Sequence, residues 1–328
     1  MKDPQIQIKN VSKSFQVGGG FFRFKKPGLV KAVNGVSLSI FPGETLGLIG
    51  ESGCGKSTLS RIVMGMIEPN AGQVTYKNEQ VSKDIQKKIH GEIQMVFQDP
   101  YTSVDPRMNI RRIVEEPLRI HTRLNGSERY ERSSKLLNSL GINEYDIHKY
   151  PHEFSGGQLQ RIGIARAFIT NPEFVVCDEP VSALDMSIQS QILNLFMDLQ
   201  QERGVTYLFI SHDMNVVKHV SNRIAVMYLG HLVEMAEKKE FFSRTMHPYS
   251  QALVNAIPVP NPLHKRNRAP LSGELPSPIN PPSGCPFQTR CPQVMDVCRE
   301  QMPAFTELSP GHFAACYLYS GKEAETRG

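Results

Sequence analysis

The chain lacks any apolar run approaching the ~20 residues that a membrane-spanning helix requires, which excludes a helical membrane span. No apolar signal-peptide core stands behind Met1-Lys2-Asp3-Pro4, so an intracellular chain is expected. The excess of positive charge is slight: 37 Lys and Arg against 32 Asp and Glu, a formal charge of +5. That balance is too weak to argue for a nucleic-acid partner, and none is expected. Closely paired cysteines of the Cys-x₂-Cys kind, the usual mark of structural zinc, are also missing. What remains is a chain of 328 residues, long enough for a large core and a second unit at about 150 residues per domain. These bounds predict a soluble, two-part α/β protein.

The densest signal is Gly50-Glu51-Ser52-Gly53-Cys54-Gly55-Lys56-Ser57-Thr58. The short apolar run 44–49 precedes it and reads as a buried strand. Leu59, Ile62, Val63, Met66 and Ile67 follow at helical spacing. A glycine-rich turn between strand and helix is the setting of a phosphate-cradling P-loop. Glycines 50, 53 and 55 leave backbone N–H groups free to form an anion nest, and the helix start adds its dipole. Lys56 would reach the β- and γ-phosphates and the Ser57 hydroxyl would ligate Mg²⁺.

Upstream, Ile6 and Ile8, then Val36, Leu38 and Ile40, alternate with polar residues as half-buried antiparallel strands do. The segment between, Gly18 to Gly28, is a loop by its glycines and proline. Its Phe, Lys and Arg residues suit either lipid headgroups or a partner protein, or else plain solvation. Phe15 is either a base-stacking platform or part of the core. Downstream, 92–97 reads as a strand ending at Gln98, which either reaches Mg²⁺ or its water, or merely caps the strand. From about Tyr101 to Asn171 the pattern is helical.

Ser155-Gly156-Gly157-Gln158, before another helical run, is either a second helix-terminus anion site or a simple turn and cap. Phe174 to Cys177 then run apolar into Asp178 and Glu179, the form of a buried parallel strand ending at a metal site. Asp178 would hold Mg²⁺ and Glu179 would polarise the attacking water. Another apolar strand, 207–210, ends at Ser211-His212-Asp213, where His212 either donates to a γ-phosphate or, as a lone histidine, is incidental.

In this order, GESGCGKST, Gln98, FSGGQ, VVCDEP, SALD and SHD resemble the ATPase subunit of ABC transporters over essentially the whole chain. The resemblance implies an α/β P-loop NTPase with a RecA-like core, an antiparallel β-subdomain and an α-helical subdomain. It makes Phe15 the adenine platform, Gln98 the Q-loop, Asp185 the D-loop and His212 the H-loop switch. Ser155, Gly156, Gly157 and Gln158 become the signature that faces the ATP of a partner subunit. Phe154 stands where the family most often has Leu, at a packing position.

Twelve of the 23 prolines lie between Pro258 and Pro310, so regular structure is expected to thin out after Ile257. Cys285, Cys291, Cys298 and Cys316 are separated by five, six and 17 residues. Their spacing alone leaves zinc, an iron–sulfur cluster and free thiols open. The surrounding words, His247-Pro248-Tyr249, LPSPINPPSGCPFQTRCP, MDVCRE and GHFAAC, are similar to the carboxyl-terminal region of oligopeptide/dipeptide importer ATPases. That similarity implies a [4Fe-4S] cluster on the four cysteines, and a division into residues 1–257 and 258–328. The insertion at Gly18 resembles the F-type member of a D/F ATPase pair.

The resemblance thus implies ATP and Mg²⁺ as ligands and a homologous D-type ATPase as partner. Two membrane permeases and an extracytoplasmic binding protein complete the assembly, with the chain peripheral on the cytoplasmic face of the cell membrane. Dipeptides, oligopeptides, nickel and oligosaccharides are not separated by this sequence. A non-transport ABC ATPase and a redox-sensing ATPase are the rival classes.

Overall fold

The computed structural model describes residues 3–17, 28–82, 89–257 and 273–319. Strands β1 (Ile6–Val17) and β2 (Gly28–Ile40) pair antiparallel, with Ile6 opposite Ile40, Ile8 opposite Leu38 and Val11 opposite Val36. All six of these side chains are buried. The insertion expected to mark an F-type subunit lies, apart from Gly28, outside the described residues. Strand β3 (Thr45–Ile49) is buried along its whole length and leads into helix α1 (Lys56–Val63). The apolar pattern predicts a helix reaching Ile67, but the helix ends at Val63. Gly65 adopts φ 71° and turns the chain, which leaves Met66 52% exposed. Strands β4 (Ala71–Tyr76) and β5 (Glu79–Gln80) complete a four-stranded antiparallel sheet in the order β2-β1-β4-β5.

After β6 (Ile93–Val96) come helices α2 (Ile110–His121), α3 (Gly126–Ser139) and α4 (Gly156–Phe168), with no strand before β7 (Phe174–Asp178). Local chemistry starts each helix. Asn109 accepts from the N–H of Arg112, while Asn125 with Glu128 and Ser155 with Gln158 form reciprocal capping boxes. The helices bury Ile113, Leu118, Leu137 and Ile162 in one core with Val96 and Val175 of the sheet. Full burial of such side chains contributes roughly 1.5–3 kcal/mol each.

The chain then alternates: α5 (Met186–Arg203), β8 (Thr206–Ser211), α6 (Met214–Val220), β9 (Arg223–Tyr228) and β10 (His231–Glu237). Strands β6, β7, β8, β3 and β9 run parallel in that order. Among the described residues no helix is long and apolar enough to cross a membrane.

The carboxyl-terminal segment carries more regular structure than its prolines suggest. Helices α7 (Lys238–Ser243) and α8 (Pro248–Asn255) precede Ile257; beyond it, helix α9 (Asp296–Glu300) is followed by strands β11 (Thr306–Ser309) and β12 (His312–Ala314). β12 pairs antiparallel with β10, opposing Ala314 to Glu234, so these strands extend the main sheet. Glu234, fully buried, accepts from the N–H groups of Met246 at 2.7 Å and His247 at 2.9 Å, and meets His312 Nε2 at 2.8 Å. A buried cluster of Tyr228, Phe241, Tyr249 and Phe287 joins the two parts.

His247 sits inside this join, where burial pushes its pKa down to about 3. Its Nδ1 accepts from the Tyr249 N–H at 3.1 Å, capping α8 as a neutral ring. The unfolded chain protonates this imidazole near its ordinary value and the folded chain does not, so stability is lost as pH falls below about 6.5. Urea unfolding at about pH 7 and about pH 5.5 is expected to show a loss of ~1 kcal/mol from this residue. His247→Asn, which keeps a cap acceptor, is expected to remove that increment. An identical acid slope in the variant would show that His247 is not its source.

Candidate nucleotide site

Parallel register brings the expected residues level with one another. Val96 pairs with Cys177, Asp178 with Ile210, and Ile49 with Ser211. Gln98, two residues past Val96, and Glu179, Gly50 and His212, each one residue past its paired neighbour, therefore emerge together at the carboxyl ends of β6, β7, β3 and β8. This is the edge of an open parallel sheet where ligands bind.

The hydrogen bonds follow that alignment. Ser57 Oγ donates to Asp178 Oδ1 at 3.2 Å. Glu179 Oε2 accepts from Gln98 Nε2 at 3.3 Å and lies 3.0 Å from His212 Nδ1. Lys56 Nζ, almost buried, donates to the carbonyls of Gly50 at 2.7 Å and Glu51 at 3.0 Å. Burial raises the Asp178 carboxyl above its ordinary range, against the lowering effect of Ser57 and of the nearby Arg61 and Lys56. A divalent cation at this carboxylate and the Ser57 hydroxyl would reverse the shift.

The loop itself needs its glycines. Gly55, at φ 108°, passes so close to β2 that a Cβ there would stand 2.0 Å from the Ala32 carbonyl oxygen. At Gly50 a Cβ would stand 2.2 Å from the carbonyl oxygen of Met227. Ser52 and Gly53 lie exposed on the same turn and Thr58 is half-buried in α1, whereas Cys54 is buried beneath the turn. Burial also pushes the Cys54 thiol up, so it stays protonated beside Lys56.

Other expected residues stand apart from this chain of bonds. Phe15 is on β1, opposite Val30 and 37% exposed, with Lys13 Nζ 5.5 Å from its ring centre. Ser155 and Gln158 bond to each other across the first turn of α4. Gly156 packs beside Leu184, and Gly157 leaves room only for Ile188, so FSGGQ and SALD meet. Asp185 caps α5, accepting from the N–H groups of Ser187 and Ile188, and those bonds hold its carboxyl below the usual range. Phe154 is buried among the helices.

Two contacts on Glu51 carry no sequence signal. Its N–H donates to the hydroxyl of Tyr249, and its carboxylate is held by Arg290. The partners lie 198 and 239 residues away along the chain, Tyr249 on α8 and Arg290 beyond Ile257, with no motif linking them to the loop.

The four tail cysteines converge. Cys285 and Cys298 are buried, Cys291 and Cys316 half-buried, and the Cys285 N–H donates to the Cys298 carbonyl at 2.8 Å. Burial first, and then neighbouring thiols, push Cys285 and Cys316 up to about 11 and raise Cys291. Among the described residues, no group of three or more His, Cys, Asp or Glu side chains is arranged to hold a metal ion.

A cavity of about 780 Å³ lies at the opposite ends of the strands, lined by Asp3, Gln5, Lys77, Glu173, Arg203 and Thr206 among others. It shares no residue with the phosphate loop. The nucleotide site is an open surface edge instead, with the His212 side chain 55% exposed.

Comparison with known proteins agrees with this geometry. Residues 33–182 match the family model described as ABC transporter, and residues 233–298 match that of the oligopeptide/dipeptide transporter C-terminal region. The oligopeptide transport ATP-binding protein AppF of Bacillus subtilis (strain 168) is 49% identical over 321 residues, covering 96% of this chain and 97% of the relative. The corresponding OppF of Escherichia coli (strain K12) is 46% identical, covering 95% of each. The dipeptide transport ATP-binding protein DppF of Haemophilus influenzae is 45% identical, covering 96% of each. Among solved structures, a dimeric post-hydrolysis state of an ATP-binding cassette bound to ADP and Pi aligns with TM-score 0.63. It is 30% identical and covers 71% of this chain and 98% of its own. The chain belongs to the family of ABC-transporter ATP-binding proteins that carry the oligopeptide/dipeptide transporter C-terminal region.

Proposed function

We propose that this protein is the ATP-hydrolysing subunit that energises a peptide importer. The observation that carries the reading is the Glu179 carboxylate, bonded to both Gln98 and His212 at the strand ends beside the phosphate loop. In this reading the amides of residues 50–58 and Lys56 bind the triphosphate, and Phe15 stacks on the adenine. Ser57, Asp178 and Gln98 would hold Mg²⁺, which when bound neutralises charge on the β- and γ-phosphate oxygens. Glu179 polarises the attacking water and His212 donates to the γ-phosphate. Lys56 exchanges its carbonyl partners for phosphate oxygens, which are charged and therefore stronger acceptors.

An open, one-sided site supports a working unit of two subunits, with Ser155 to Gln158 and Asp185 of each meeting the nucleotide of the other. The partner proposed is a homologous D-type ATPase. Two permeases would dock at the groove of about 250 Å³ between core and helices, where Met66, Phe97 and Ile120 present apolar surface. The chain would then sit peripherally on the cytoplasmic face of the membrane, served by an extracytoplasmic peptide-binding protein. Residues 1–257 form the nucleotide-binding unit and 258–328 its extension in this reading.

The four thiols are proposed to hold a [4Fe-4S] cluster. Support comes from four soft sulfur donors gathered in a largely apolar pocket, whose mutual proximity disfavours thiolates until a cation balances them.

In the assembled transporter, Glu179→Gln is expected to lower ATP turnover by about 10²-fold or more while ATP binding stays intact. Undiminished turnover would remove Glu179 from the proposed role. Anaerobic purification is expected to return about four iron and four sulfide per chain. Zinc, or no metal at all, would discard the cluster and leave the ATPase assignment untouched.

A further inference from the structure

Glu51, the second residue of the phosphate loop, is gripped from outside the nucleotide site. Arg290 Nη1 donates to Glu51 Oε2 at 2.7 Å and Nη2 donates to Oε1 at 3.1 Å, a two-pronged guanidinium–carboxylate pair. The Tyr249 hydroxyl accepts the Glu51 N–H at 2.9 Å. On its inner side the same residue offers its carbonyl to Lys56 Nζ at 3.0 Å. Glu51 is thus the single step between the carboxyl-terminal segment and the lysine that meets the phosphates.

Arg290 is built for this contact. Its side chain is only 6% exposed, against 28% for Glu51. It lies 6.0 Å over the ring of Tyr228, and its Nε is buried without a partner. A guanidinium in such a place is unfavourable unless a carboxylate compensates it, and Glu51 is the carboxylate bound there. The backbone leading into Arg290 is pinned. The Arg290 N–H donates to the Phe287 carbonyl at 3.0 Å, and Phe287 packs against Tyr228 and Tyr249. Arg290 therefore cannot follow Glu51 freely; Glu51 must come to Arg290.

We infer that Arg290 is a positioning residue for the phosphate loop: by fixing Glu51 it holds the loop amides and Lys56 in the arrangement that binds a nucleoside triphosphate. Nucleotide affinity then depends on the carboxyl-terminal segment, although that segment touches no phosphate. The inference rests on the reading of residues 50–58 as the triphosphate site and needs no metal at the cysteines.

The experiment measures binding of a fluorescent ATP analogue and thermal unfolding on the full-length chain. Arg290→Met and Glu51→Gln are each expected to weaken binding about tenfold, and the double variant no further than either single one. In the assembled transporter the same loss is expected in KM, with kcat little changed. A lowered melting temperature with unchanged analogue binding, or losses that multiply in the double variant, would reduce the pair to a structural contact. Should Arg290→Met fail to fold, Arg290→Lys keeps the charge but loses the fork. A severalfold weaker affinity at unchanged melting temperature supports positioning in that variant, and wild-type affinity refutes it. Lys56→Ala separates the two readings, because undiminished analogue binding in that variant would reject the triphosphate site itself.

Discussion

The phosphate site depends on the register of four neighbouring parallel strands. Gln98, Glu179, Gly50 and His212 come from distant parts of the sequence, and each is placed only by where its strand stops. These strands are buried on both faces, so alternation of polar and apolar residues does little to fix their register. The ends do that work. Asp178 already sits deep enough for burial to raise its carboxyl, and a slip by one residue would draw Glu179 inward beside it. Two carboxylates without solvent or cation are far more unfavourable than one. The charged strand end therefore acts as a stop, and the same stop presents Glu179 at the sheet edge.

Glu179 also carries backbone strain. It adopts φ 50°, a left-handed conformation that costs roughly 1–2 kcal/mol for a residue with a Cβ. The surroundings enforce it, since its N–H is bonded to the Ile210 carbonyl at 3.0 Å while its carboxylate meets Gln98 and His212. A glycine would relax the turn but remove the carboxylate. Three separate strands therefore determine where one oxygen points, which suits the water-polarising role proposed for Glu179.

How much of this was legible in the sequence follows from the range of each signal. The phosphate loop, the strand ending in Asp178-Glu179 and the cap at Ser155 are local patterns, and the structure places all three as strand–turn–helix, strand end and helix start. The helical stretch between β6 and β7 was readable from its periodicity for the same reason. Met66 and Ile67 misled because apolar spacing says nothing of the turn that Gly65 imposes. Strands β11 and β12 were hidden because they are short, proline-flanked and stabilised by pairing with β10 and by the buried Glu234–His312 contact. Arg290 was invisible as a partner of Glu51, since a pair 239 residues apart leaves no periodicity to read.

In the pair of subunits proposed above, the start of α4 sets what a partner's γ-phosphate would have to replace. Ser155 and Gln158 satisfy each other: the Gln158 side chain accepts from the Ser155 N–H at 3.0 Å, and Ser155 Oγ accepts from the Gln158 N–H at 3.4 Å. Recruiting either side chain to a phosphate breaks a cap contact worth about 1 kcal/mol. A charged phosphate oxygen makes hydrogen bonds about twice as strong as neutral ones, and the helix dipole adds to them. The exchange is therefore favourable toward a terminal phosphate and close to neutral toward water. In that proposal, cleavage and departure of the phosphate would let the capping box re-form and oppose renewed closure. A cap that first serves helix stability would thereby bias the proposed pair of subunits toward opening after hydrolysis.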